Sequence, residues 1–154
     1  RNYIFNHLNY SNLKTESLIT PKSSGSVAIH LRLSDDGQTI IDRAAKTDWI
    51  ISALQKAHEE EKVLNHEVVC FTDTPGKAEF LRKYVPKLKV VGQEIPPLEA
   101  LLTLSKFHNL ILVNSSFSFW AGEFSDANLI ISPCGEGHQF EPTKQYLHIP
   151  ATEN

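Results

Sequence analysis

Five short apolar or β-branched runs, separated by segments with helical spacing, constrain this 154-residue chain more than any other feature. They occupy 27–33 (VAIHLRL), 67–71 (EVVCF), 88–91 (LKVV), 110–113 (LILV) and 129–131 (LII). Runs this short and this nearly continuous suit strands covered on both faces, which is the situation of a parallel sheet. Between the first two, Thr47 or Asp48 can cap a helix whose Trp49, Ile50, Ala53, Leu54 and Ala57 recur at helical spacing. Pro75 fits the first turn of a second helix, with Phe80, Leu81 and Tyr84 as its inner face, and Pro97 opens a third with Leu98, Leu101, Leu102 and Leu104. A fourth, short helix is expected in FSFWAGEF, and a last short strand at 146–149. Alternation of this kind implies crossover connections and a Rossmann-like, three-layer α/β/α arrangement.

Residues 26–154 are expected to form that single domain. The lead-in over 1–25 has no clear periodicity and reads as an irregular or partly helical remnant of a longer amino-terminal region. A net charge of −3 gives no general attraction for nucleic acid or an anionic membrane, so an anionic ligand has to be held locally. Cys70 and Cys134, the two cysteines, are far apart and are read as reduced thiols. No stretch approaches the roughly 18 apolar residues of a membrane span, which leads to an expectation of a cytoplasmic protein, free or peripheral to a membrane.

In an open parallel sheet, ligands bind beyond the carboxyl ends of the strands. The polar residues there are His30, Arg32, Ser34 and Asp35, then Thr72 and Asp73, then Gly92 and Gln93, then Asn114, Ser115, Ser116 and Ser118. His30 and Arg32 stand two apart, so a strand puts them on one face and Leu31 and Leu33 on the other. A guanidinium there can hold a diphosphate through paired hydrogen bonds, while an ion pair with Asp35 and a packed histidine is the plainer alternative. Serines before a helix can bind phosphate or simply cap, with Phe117, Phe119, Trp120 and Phe124 as core. Asp73 can meet a base edge or a ribose, or act as an ordinary cap. No Gly-rich phosphate loop, G-x-G-x-x-G, D-x-D, G-x-S-x-G or pair of histidines at helical spacing is present, so neither a metal nor a further cofactor is expected.

Taken in order, SVAIHLRLSDD, EVVCFTDTPGKAEFL and LLTLSKFHNLILVNSSFSFWAGEFSDANLIISP resemble the donor-binding half of the alpha-1,2-fucosyltransferases of glycosyltransferase family 11, over residues 26–133. The resemblance implies one half of a two-domain GT-B enzyme of glycan biosynthesis. Such an enzyme is metal-independent and transfers fucose from GDP-fucose to an oligosaccharide hydroxyl with inversion. It matches Arg32 to the arginine on the GDP diphosphate, His30 to the histidine beside it, Asp35 to the aspartate that steadies the loop, and Asp73 to the aspartate that reads guanine. Ser115, Ser116 and Ser118 match the segment along the phosphates and fucose, with Thr72, Asn114 and Phe117 as neighbours in the same motifs. Arg32 and Asp35 are therefore the expected catalytic pair, and an amino-terminal domain is the implied partner. Leu33 stands where many relatives have a second arginine, Phe119 stands for a tryptophan, and Glu123 is an addition. Asp35, Asp36 and Glu123 are the candidates for a general base. Two alternatives stay open: a truncated or degenerate binding module without catalysis, and a transferase for another activated donor.

Overall fold

The computed structural model describes residues 25–32, 47–61, 68–134 and 145–150. All but the last residue of the expected lead-in, together with Leu33, Ser34, Asp35 and Asp36, lie outside the described residues. The strands are β1 (Val27–Leu31), β2 (Val68–Thr72), β3 (Lys89–Val91), β4 (Asn109–Leu112), β5 (Leu129–Cys134) and β6 (Leu147–Pro150). They form one sheet in the order β3-β2-β1-β4-β5-β6, and every neighbouring pair is parallel. This is the order of a doubly wound sheet, and its direction of winding reverses between β1 and β4.

β5 runs beyond the expected 129–131 and takes in Pro133, a residue that removes a ladder hydrogen bond from a central strand. The β4 pairing stops at Ile111 with Ile131, whereas β6 continues alongside to Cys134. Past Ile131 the strand therefore has a partner on one side only, and the missing N–H of Pro133 can face away from it.

Alternate residues of β1 feed two separate cores. Val27, Ile29 and Leu31 pack with Trp49, Ile50, Ala53 and Ala57 of helix α1 (Thr47–Glu61) and with Ala78 and Leu81 of a 3-10 helix (Pro75–Lys83). Ala28 belongs to the other core, with Phe71, Leu104, Phe107, Leu110, Leu112 and Ala121 under helices α2 (Pro97–Leu104) and α3 (Ser116–Phe124). The period-2 alternation of a strand thus produces the three layers. The Trp49 indole donates from Nε1 to the Ile149 carbonyl at 2.8 Å, tying α1 to the edge strand β6. Among the described residues, no helix is long and apolar enough to cross a membrane.

Three expectations about helix faces need correction. The segment opened by Pro75 is a 3-10 helix, in which side chains recur every three residues. Ala78 and Leu81 consequently point inward, while Phe80 is half-buried and Tyr84, at the helix exit, is 43% exposed under the Lys83 ammonium. Pro75 and Gly76 are poor α-helix formers, and Pro86 disfavours helical geometry at the residue before it. The larger rise, about 2.0 Å per residue against 1.5 Å, lets this short connection reach along the sheet. Leu98, in the first turn of α2, is 44% exposed rather than part of the core. Trp120 is 42% exposed on α3, stacked on Phe124 four residues later with ring centroids 5.4 Å apart.

Candidate functional site at the carboxyl edge of the sheet

The residues that leave β1, β2 and β3 converge on one cleft of about 200 Å³. His30, Arg32, Thr72, Asp73, Gly92 and Gln93, all expected at strand ends, line it. In-register pairing explains the convergence: His30 lies beside Phe71 on β2, and Phe71 beside Val91 on β3, so the three chains leave the sheet at the same level. Phe117 closes the β4 side, with its ring centroid 4.8 Å from that of His30.

The rest of the wall is apolar and comes from Phe71, Val91, Ile95, Pro97 and Ala100. Ile95 and Pro97 were not among the expected site residues. The signal available was an apolar side chain isolated in the loop GQEIPP, between a strand and a helix, where no core pattern requires it. Glu94 shapes that loop: its carboxylate accepts from the Gly92 N–H, with both oxygens at 2.9 Å. A Cβ at Gly92 would lie 2.5 Å from Pro75 and 2.8 Å from Glu94, so the close approach of the β2 and β3 exits requires glycine.

His30 is 9% exposed and its Nδ1 lies 2.6 Å from the Ser118 hydroxyl. Burial, with the Arg32 charge as the smaller cause, holds its pKa at about 4 instead of 6.5, so the imidazole is neutral at ordinary pH. Arg32, the next residue on the same face, is exposed and borders the cleft. Asp73 is also exposed, its carboxylate Oδ1 accepts from the Thr74 hydroxyl at 3.4 Å, and its backbone carbonyl accepts from Gln93 Nε2 at 3.2 Å. Thr74 is the residue at the cap position of the 3-10 helix and makes no side-chain cap bond, so Asp73 is not the helix cap.

The serines divide by position. Ser115 caps α3, its hydroxyl oxygen accepting from the Ser118 N–H at 3.1 Å. Ser118 is 1% exposed and sits behind His30, between the ring and Ser115. Ser116 is exposed, and Asn114 and Ser115 are half-buried. None of the four lines the cleft, whereas Phe117 does.

Glu123 is buried on the far side of α3, where its Oε1 accepts from the Tyr146 hydroxyl at 3.2 Å. Burial first, and then the Glu123 carboxylate, push the Tyr146 phenol upward from its usual range. This carboxylate is part of the packing between α3 and the segment leading into β6, and is not a general base facing the cleft. Comparison with known family models, curated proteins and solved structures finds no match for the chain.

Proposed function

We propose that this chain is the donor-binding half of a GT-B glycosyltransferase that moves fucose from GDP-fucose to a glycan hydroxyl, with inversion and without a metal. The observation that carries this reading is the cleft at the carboxyl edge, bordered by Arg32 and His30 from one strand and by Asp73 from the next. Those residues occur within the motifs that resemble the fucosyltransferases. An apolar wall of Val91, Ile95 and Pro97 suits the face of a base, with Asp73 at its hydrogen-bonding edge. About 200 Å³ is less than the ~300–1,000 Å³ of sites that enclose a whole drug-sized ligand, so the cleft takes the base side and the diphosphate lies at its Arg32 rim.

Transfer builds positive charge on the sugar ring and negative charge on the departing GDP. A guanidinium keeps its charge at any working pH and strengthens its hold as the diphosphate gains charge. Calorimetry with GDP, UDP and CMP tests the reading. GDP is expected to bind at least tenfold more tightly than the other two, and Arg32→Ala to weaken it about 10- to 100-fold, the value of charge-assisted hydrogen bonds. Equal binding of all three nucleotides, or GDP affinity indifferent to Arg32→Ala, would reject it.

One observation favours the binding-module reading: among the described residues that line the cleft, Asp73 is the one carboxylate, and it stands on the base side. Release of GDP from GDP-fucose in the presence of an oligosaccharide acceptor would decide for the transferase.

A further inference from the structure

Ser118 and His30 are 88 residues apart in the chain, yet their side chains meet at the point where the winding of the sheet reverses, between β1 and β4. The Ser115 hydroxyl oxygen is occupied as an acceptor by the Ser118 N–H, and its own proton goes to the Ser118 oxygen at 3.0 Å. Having received that proton, the Ser118 hydroxyl has its own left to give. The acceptor within reach is His30 Nδ1 at 2.6 Å. A neutral imidazole that accepts at Nδ1 carries its hydrogen on Nε2, and the tautomer is set by the bond made at the other nitrogen.

We infer that the chain Ser115 to Ser118 to His30 fixes His30 as an Nε2–H donor in the cleft, and that Ser118 is a positioning residue that acts through the ring without touching the ligand. The burial of Ser118 accords with this role, since a ligand in the cleft meets the imidazole and not the hydroxyl behind it. The Phe117 ring against His30 holds the plane of the imidazole. His30 and Arg32 then present donors from one strand face, and the group that suits them is an acceptor-rich anion such as a phosphate oxygen. Extension to the diphosphate of GDP rests on the function proposed above.

The tautomer is readable without any ligand, from the ¹⁵N shifts of His30 in the folded chain. The wild type is expected to show the Nε2–H form. Ser118→Ala should give a mixture of tautomers and weaken GDP about fivefold, one ordinary hydrogen bond's worth of orientation. Ser115→Asp keeps the helix cap but offers acceptors only, so the Ser118 hydroxyl turns toward it and His30 should switch to the Nδ1–H form. In a His30→Gln background, where the side-chain amide keeps a donor near the Nε2 position, Ser118→Ala should cost no further affinity. An Nδ1–H tautomer in the wild type, or one unaltered by both serine variants, would overturn the relay whatever GDP does. The expected tautomers in a chain that does not bind GDP would support the relay and remove the nucleotide reading instead.

Discussion

The two faces of β1 differ in what becomes of them at the end of the strand. On the α1 face, Val27, Ile29 and Leu31 are fully buried and the packing continues without a polar interruption. On the α3 face, Ala28 is core, His30 is held by a hydroxyl and Arg32 opens to solvent. One strand therefore supplies core packing on one side and the wall of the candidate cleft on the other. The division teaches that a site can be placed on a parallel sheet without weakening the core beneath it.

Substitutions on the two faces should separate cleanly. The largest effect belongs to the apolar face: Ile50→Ala is expected to lower unfolding free energy by about 3 kcal/mol in denaturant titration, with GDP affinity of the folded protein unchanged. A comparable loss of affinity would mean that the faces are coupled. Next comes acid sensitivity, which belongs to His30. Its folded pKa of about 4 lies below the unfolded 6.5, so the unfolded chain binds the proton first and stability falls as pH drops through that window. The loss from pH 7 to 4.5 should be roughly 2–3 kcal/mol greater in the wild type than in His30→Gln, by denaturant midpoints at each pH.

A smaller effect sharpens the boundary of the site. Gly122 packs directly under the Tyr146 hydroxyl, so Gly122→Ala forces that ring aside and should cost about 2 kcal/mol while leaving nucleotide binding intact. The smallest effect is one of reactivity. Cys70 lies in the apolar core, where burial pushes its thiol up to about 12. In the native state at pH 8 it should resist alkylation, becoming accessible only with global unfolding. Rapid labelling would show that the α1 face opens locally.

The buried strands were legible because a parallel sheet demands apolar residues on both faces, and the runs around Ile29, Cys70 and Ile111 meet that demand in sequence. Strand-end polarity pointed to the lining of the cleft for a related reason: His30 and Thr72 are polar residues in the last positions of buried runs, and Arg32 and Asp73 follow directly where β1 and β2 have ended. Helix faces were less legible. Tyr84 and Trp120 carry the apolar character of core residues, but a three-residue repeat displaced the first and the second finds cover on Phe124 at the surface. The role of Ser118 could not be read from spacing. A cap motif offers several hydroxyls, and only the rotation of α3 against β1 decides which one turns inward to the imidazole.

The position of β1 in the sheet also bears on how the chain comes to be folded. It precedes the other described strands in sequence yet occupies the interior of the sheet, with β2 on one flank and β4 on the other. During synthesis, its apolar residues leave the ribosome several seconds before the segment that covers the second flank. Through that interval VAIHL is an apolar segment with one edge unpaired, open to pairing with another chain until Asn109–Leu112 arrives to cover it.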